Sequence, residues 1–404
     1  MRIGLVLYGS LDTVSGGYLY DRKLVEHLRA AGDQVELFPL PWRGYTVRLA
    51  DNARLGWLDA LARAPLDALL QDELNHPSLF LANARLRRQA TYPVVSIVHH
   101  LLSSEQRPPW QNALYRRIEG RYLASVDGFI FNSDTTRRAV RQALAGRQTA
   151  ARGTPRPARA IMPGAALSAV SDTASIVARP AGDRLQPRIS DDEIAERARQ
   201  AGPLRLIFVG NLIPRKNLHG LIDALALLPR ADWHLDVVGN TLSAAAYANV
   251  VRARIDSLGL AGQVTLRGPV SDSVLAGLLA ASHVLAVPSS YEGFGIVYLE
   301  GMGFGLPAIG ASAGAAGEVI TDSANGYLVP PGQPRPLADR IAALHQDRAL
   351  LARLGQAARR SFLDHPTWEQ SMTLARNYLA RLVEARRPRS GAGPRTPPRR
   401  STST

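Results

Sequence analysis

Residues 291–307, YEGFGIVYLEGMGFGLP, place two carboxylates, Glu292 and Glu300, in an otherwise uncharged run. An ionised carboxylate only accepts hydrogen bonds, so it suits a pair of vicinal hydroxyls, as in a ribose or a sugar ring. Five of the seventeen residues are glycine, and each costs a helix interior about 1 kcal/mol relative to alanine. Gly293, Phe294 and Gly295 lead into Ile296 as a loop whose backbone donors can meet an anionic ligand. Gly301, Gly303 and Gly305 would let the helix lie close against a neighbour. A packing helix with one buried glutamate explains the glycines but leaves the second acid over.

Three further groups suit the same chemistry. In NLIPRKNLHGLIDAL, Arg215 and Lys216 stand between a strand-like run and a helix whose expected N-cap is Asn217. Two cations there fit a diphosphate, the arginine as a fork and the lysine as a point charge, or else form a solvated pair. In GSLDTVSGGYLYDRKL, Gly16 and Gly17 open a helix, where backbone N–H groups can approach a phosphate or simply turn the chain. Their spacing is neither G-x-G-x-x-G nor a P-loop. His99 ends the strand-like VVSIVH on the same side, with structural and functional roles both open. Asp72, Glu73 and His76 in LLQDELNHPSLF either bind acceptor hydroxyls or form a solvated loop.

The elements that must hold these residues alternate. RIGLVLY, QVELFPL, YPVVSIVHH and VDGFIFNSD are strand-like runs with helical patterns among them; PLRLIFVGN, WHLDVVGN, QVTLRGPV, HVLAVPSS and LPAIGAS form a second series. Such alternation predicts parallel sheets wrapped by helices. The expected fold class is α/β, with two doubly wound domains whose strand ends face a shared cleft. The expected division is a first domain over 1–165, a linker or insertion over 166–202 and a second domain over 203–365. A helix over 366–385 is free to pack back on the first domain, and 386–404 form a basic tail.

The chain has 404 residues, a net charge of +14 and no cysteine. Disulfides, thiolate metal sites and cysteine nucleophiles are therefore excluded. No uncharged apolar stretch approaches the eighteen or so residues of a membrane span, so a cytoplasmic chain is expected. Seven arginines lie between Arg137 and Arg159 and six between Arg386 and Arg400. The proline-rich tail is either an anchor for anionic lipid, giving peripheral contact with the inner face of a membrane, or simply soluble. A nucleic-acid binder would leave Glu292 and Glu300 unexplained and lacks a helix or aromatic platform suited to bases.

Taken together these residues resemble glycosyltransferase family 4, the retaining group-1 transferases of GT-B fold. The resemblance runs from Met1 to about Leu382 and is strongest in VGNLIPRKNLHGLIDAL and in residues 288–331, which carry the Glu-x7-Glu signature at Glu292 and Glu300. It implies transfer of a sugar from a nucleoside-diphosphate sugar to a hydroxyl acceptor, which can be a glycan, a lipid or a small molecule. By the same resemblance Gly16 and Gly17 lie over the donor diphosphate, and Arg215 and Lys216 neutralise it. Glu292 binds donor-sugar hydroxyls, Glu300 the ribose, and His99 lines the reaction centre. Phe294, Gly295 and Ile296 complete the donor site. No Asp-x-Asp pair is present, so neither a metal nor another cofactor is expected. Gly301 and Gly303 stand where many members have alanine, 145–200 is longer than usual, and the basic tail has no counterpart. A nucleotide-sugar epimerase of the same fold is the alternative.

Overall fold

The computed structural model describes residues 1–53, 55–152, 174–241 and 244–386. Two six-stranded sheets, parallel throughout, organise them. The first contains β1 (Arg2–Tyr8), β2 (Gln34–Leu40), β3 (Ala68–Asp72), β4 (Val94–Val98), β5 (Gly128–Phe131) and β6 (Ser175–Val177), in the order β2-β1-β3-β4-β5-β6. The second contains β7 (Leu204–Val209), β8 (Trp233–Val238), β9 (Val264–Gly268), β10 (Val284–Val287), β11 (Ala308–Ala311) and β12 (Gly326–Val329), in the order β12-β11-β10-β7-β8-β9. The expected α/β class holds.

Both faces of the first sheet are covered, which is why its strands read as near-continuous apolar runs. Ile3, Leu5 and Leu7 of β1 enter one core cluster, while Val6 and Tyr8 enter another across the sheet. Helix α1 (Gly16–Ala30) starts where Ser15 Oγ accepts from Tyr18 N at 3.3 Å, and it buries Tyr20, Leu24, Val25 and Leu28 on the sheet. The helix α2 (Asp134–Arg152) follows β5.

The described part of 166–202 divides between the two sheets. β6 pairs with β5, whereas α3 (Asp191–Arg199) buries Ile194, Ala195 and Ala198 towards the second. A reciprocal capping box starts α3: Ser190 Oγ accepts from Glu193 N, and Glu193 accepts from Ser190 N. The S-x-x-E spacing was a sequence signal for it. Residues 153–173 and all of the tail beyond Arg386 lie outside the described residues.

The last helix, α7 (Trp368–Arg386), crosses back to the first sheet. There Tyr378 Oη donates to Ala174 O at 2.6 Å and accepts from Phe129 N at 3.2 Å. No helix among the described residues is long and apolar enough to cross a membrane.

Asn217 departs from expectation. It holds the N-cap position of α4 (Leu218–Leu225), but at φ 55° its side chain makes no cap bond and donates to Pro288 O at 3.2 Å. Asparagine tolerates the left-handed region, so the residue serves the turn and ties it to the end of β10.

The glycine-rich helix α5 (Ile296–Gly303) packs closely on two sides. A Cβ at Gly301 would stand 2.9 Å from Leu285 Cδ2 in β10, and one at Gly303 2.7 Å from Pro187 Cγ and 3.0 Å from Phe362 Cε2 on α6 (Arg348–Asp364). Gly303→Val therefore overpacks a filled interface and destabilises the fold by about 1–3 kcal/mol. Calorimetric unfolding checks this; an unchanged midpoint would mean that α5 and α6 separate freely.

Candidate active site

In both sheets the chain reverses direction at one point, between β1 and β3 and between β7 and β10. Open α/β sheets leave a crevice outside the strand ends at such a point. The sequence-selected residues follow just these strands and their neighbour. Gly16 and Gly17 come after β1, Asp72 and Glu73 at the end of β3, His99 after β4, Arg215 and Lys216 after β7, and Glu292 after β10.

Glu292 is 6% exposed and ion-paired with Lys216 Nζ. Ser289 Oγ donates to it at 2.6 Å, and Arg215 Nη1 lies 3.8 Å away while donating to Tyr291 O at 2.7 Å. Burial alone would raise this carboxyl; the attraction of Lys216 and Arg215 outweighs it and holds the group down at about 2. Lys216 is drawn down by its own burial, with Glu292 working the other way. The two cations are thus not a solvated pair. Glu292 precedes α5 by four residues, because Gly295, at φ 96°, turns the chain before the helix begins at Ile296. Glu292 bridges to Gly314 instead.

Glu300 sits one turn into α5, 4% exposed. Arg184 holds it, with Nε donating to Oε1 at 2.9 Å and Nη2 at 2.8 Å from the same oxygen, while pairing with Asp272 as well. Burial raises the Glu300 carboxyl and Arg184 opposes it. Sequence reading missed Arg184 because its run is irregular; the only signal was that a buried glutamate needs a cation. Glu105 was missed too. It accepts from His100 Nε2 at 2.9 Å and Arg107 Nη2 at 2.6 Å, and lies 3.6 Å from Arg215 Nε of the second sheet's loop.

The two halves meet closely here. A Cβ on Gly293 would lie 2.4 Å from His99 O, and one on Gly16 3.6 Å from Ile296 Cδ1. Ser133 Oγ donates to Gly293 O at 3.0 Å, and Asn132 Nδ2 to His99 O at 2.8 Å. Glu318, from the turn after β11, accepts from Asp134 N at 3.0 Å and Thr135 N at 2.6 Å at the start of α2.

His99 lies between Gly17, whose Cβ would reach 3.1 Å from Cδ2, and Tyr20, edge-on at 5.2 Å. Its Nε2 is 3.1 Å from Asp21 Oδ1. Burial disfavours the imidazolium, but Asp21, with Asp72 and Glu73 behind it, raises the ring above its ordinary range.

Asp72, Glu73 and His76 are not a solvated loop; all three are buried. Asp21, Asp72 and His99 bring ligand-type atoms within 4.8 Å of one another, as do Glu73, His76 and Glu119. Burial pushes Glu73 up to about 8 and Glu119 to about 7, and takes His76 down to about 4. His76 Nε2 reaches Tyr45 Oη at 3.0 Å.

Two family models match the chain: "Glycosyl transferases group 1" over residues 190–361 and "Glycosyl transferase 4-like domain" over 15–154. A D-inositol 3-phosphate glycosyltransferase of Streptomyces avermitilis is 34% identical over 188 residues, 44% of this chain. That match spans only 40% of the relative's own length. The protein of the same name from Corynebacterium glutamicum is 27% identical over 371 residues, 85% of this chain and 87% of that protein. Among solved structures, Anabaena Alr3699/HepE in complex with UDP and glucose superposes with a TM-score of 0.69 at 20% identity, over 94% of this chain and 100% of that one.

Proposed function

The chain belongs to the glycosyltransferases of group 1, family 4 type, and from that membership we propose that it moves a hexosyl group from a nucleoside-diphosphate sugar to an acceptor hydroxyl with retention of configuration. One observation carries the reading: Arg215 and Lys216 converge with Glu292 in a buried cluster at the switch point of the second sheet. A leaving diphosphate gains negative charge in the transition state, and preformed cations stabilise that charge where it develops. Arg215 and Lys216 take this role, with backbone donors at Gly16, Gly17, Phe294, Gly295 and Ile296. When the diphosphate engages the cations, Glu292 turns to the sugar hydroxyls; Glu300 accepts from the ribose.

His99 lines the sugar beside Gly17, held by Asp21. Of the described carboxylates at the donor site, Glu292 faces Lys216 and Asp21 lies behind the imidazole, so neither is placed as a nucleophile. Same-face attack, with a departing phosphate oxygen taking the acceptor proton, agrees with that arrangement. UDP-glucose is the first donor to try, since HepE was solved with UDP and glucose; the relatives' names give D-inositol 3-phosphate as a phosphorylated acceptor to set beside neutral ones.

Incubation with UDP-, GDP- and ADP-sugars, with the product anomer read by NMR, tests the proposal. Hydrolysis or transfer of none of them, or an inverted product, would count against it. Because Arg215 and Lys216 supply the positive charge, EDTA leaves turnover unchanged. Loss of activity restored by Mg²⁺ or Mn²⁺ would instead bring the Asp21–Asp72–His99 and Glu73–His76–Glu119 clusters into the mechanism.

A further inference from the structure

Building on the sugar-transfer reading, we propose that Trp42 is a stacking platform for the ring of a neutral saccharide acceptor. The residue is 58% exposed. It is nonetheless fixed. The Tyr8 ring meets it at 5.7 Å and 83°, and the Arg48 guanidinium lies 4.7 Å from its centroid and 4.2 Å from that of Tyr8. Arg48 is itself buried and donates to Arg43 O at 2.6 Å. Tyr8 Oη is 2.6 Å from Ser78 Oγ, so the stack is tied to the chain beyond β3.

Its place in the fold suits an acceptor. Trp42 lies two residues beyond Leu40, the last residue of β2, which registers with Tyr8 at the end of β1. β1 runs on into the loop that carries Gly16 and Gly17. The platform therefore stands on the same sheet edge as the donor loop, one strand further out. Beyond it, in the short helix Tyr45–Leu49, the Tyr45 ring lies 4.5 Å from Tyr115 and its hydroxyl 3.0 Å from His76 Nε2. A pyranose has an apolar face of C–H groups and a rim of hydroxyls. An indole covers the first and a fixed hydroxyl meets the second, the usual make-up of a small-molecule site.

Charge selects the class. A phosphorylated acceptor calls for cations, but Arg48, Arg43 and Arg107 are already engaged: Arg48 in the stack, Arg43 at 3.4 Å from Asp51, Arg107 at 2.6 Å from Glu105. The layer beneath consists of buried carboxyl groups, Asp72, Glu73 and Glu119, and supplies no cation. A neutral ring needs none.

The test is saturation-transfer NMR in the presence of whichever of UDP, GDP and ADP the wild type binds, with the methyl α-glycosides of glucose, mannose and galactose and with glucose 6-phosphate. At least one methyl glycoside binds the wild type and W42F, and binds W42A about fivefold or more weakly, the scale of one aromatic contact. Glucose 6-phosphate binds more weakly than methyl α-glucoside. Equal binding to W42A and wild type overturns the proposal, as does no binding of any glycoside to the wild type, or tighter binding of the phosphate. W42F guards against misfolding of W42A. Calorimetry with UDP, GDP and ADP is separate: binding of none of them by the wild type removes the sugar-transfer reading, whereas a nucleotide bound equally by wild type and W42A shows an intact donor site and makes the glycoside binding decisive.

Discussion

Replacing Lys216 by alanine lowers kcat/KM about 10²-fold, the usual cost of removing one preformed stabiliser of transition-state charge. Arg215→Ala costs a similar factor, and initial rates with the hydrolysed donor measure both. The two differ in stability. Lys216 is the short-range partner of a buried carboxylate, so its removal leaves Glu292 uncompensated and destabilises the fold by about 3 kcal/mol. Arg215 lies 3.8 Å from Glu292 and is more exposed, so Arg215→Ala moves the unfolding midpoint less.

The pH dependence follows from the depressed Glu292 carboxyl. Its folded value of about 2 lies below that of an unfolded glutamate, so the stabilisation is complete above the unfolded value. It is lost as pH falls through the folded one. The gap between wild type and Lys216→Ala is therefore widest above about pH 5 and narrows in acid. A double variant that keeps near-normal turnover would remove both cations from the reaction.

Glu300→Gln weakens binding of the free nucleoside diphosphate by roughly 10- to 100-fold, the range for losing a hydrogen bond to a charged acceptor. The amide presents a donor where the ribose hydroxyls need an acceptor, and it leaves Arg184 with Asp272 alone. Glu292→Gln behaves differently. It takes negative charge away from Lys216 and Arg215, so binding of the free nucleotide is kept or tightened while sugar transfer falls. Calorimetry on the two variants decides the matter. If both bind like wild type, Glu300 holds no ribose and α5 is only a packing helix.

The alternation of strands and helices was legible because parallel strands buried on both faces are apolar runs. The Glu292 and Glu300 pair was legible because acids in such a run demand a reason. Contacts made across long stretches of sequence were not. Arg184 reaches Glu300 from 116 residues away, and nothing in the residues around it announces the pairing. For Asp72, Glu73 and His76 a solvated loop stayed open beside acceptor binding because charged residues are rarely buried. The three lie among Asp21 and Tyr45 from earlier in the chain and Glu119 from later in it. Asn217 shows the limit of local rules: the preferred capping residue occupies the cap position and spends its amide on Pro288.

Glu318 gives the halves of the molecule an unequal choice. With its carboxylate on the amides of Asp134 and Thr135, α2 has its first turn satisfied by a residue from the other sheet. Parting the halves would strip that helix of its cap, at a cost of about 1 kcal/mol before water fills in. Together with Ser133 on Gly293 O and Glu105 beside Arg215, that carboxylate biases the resting protein towards the closed arrangement.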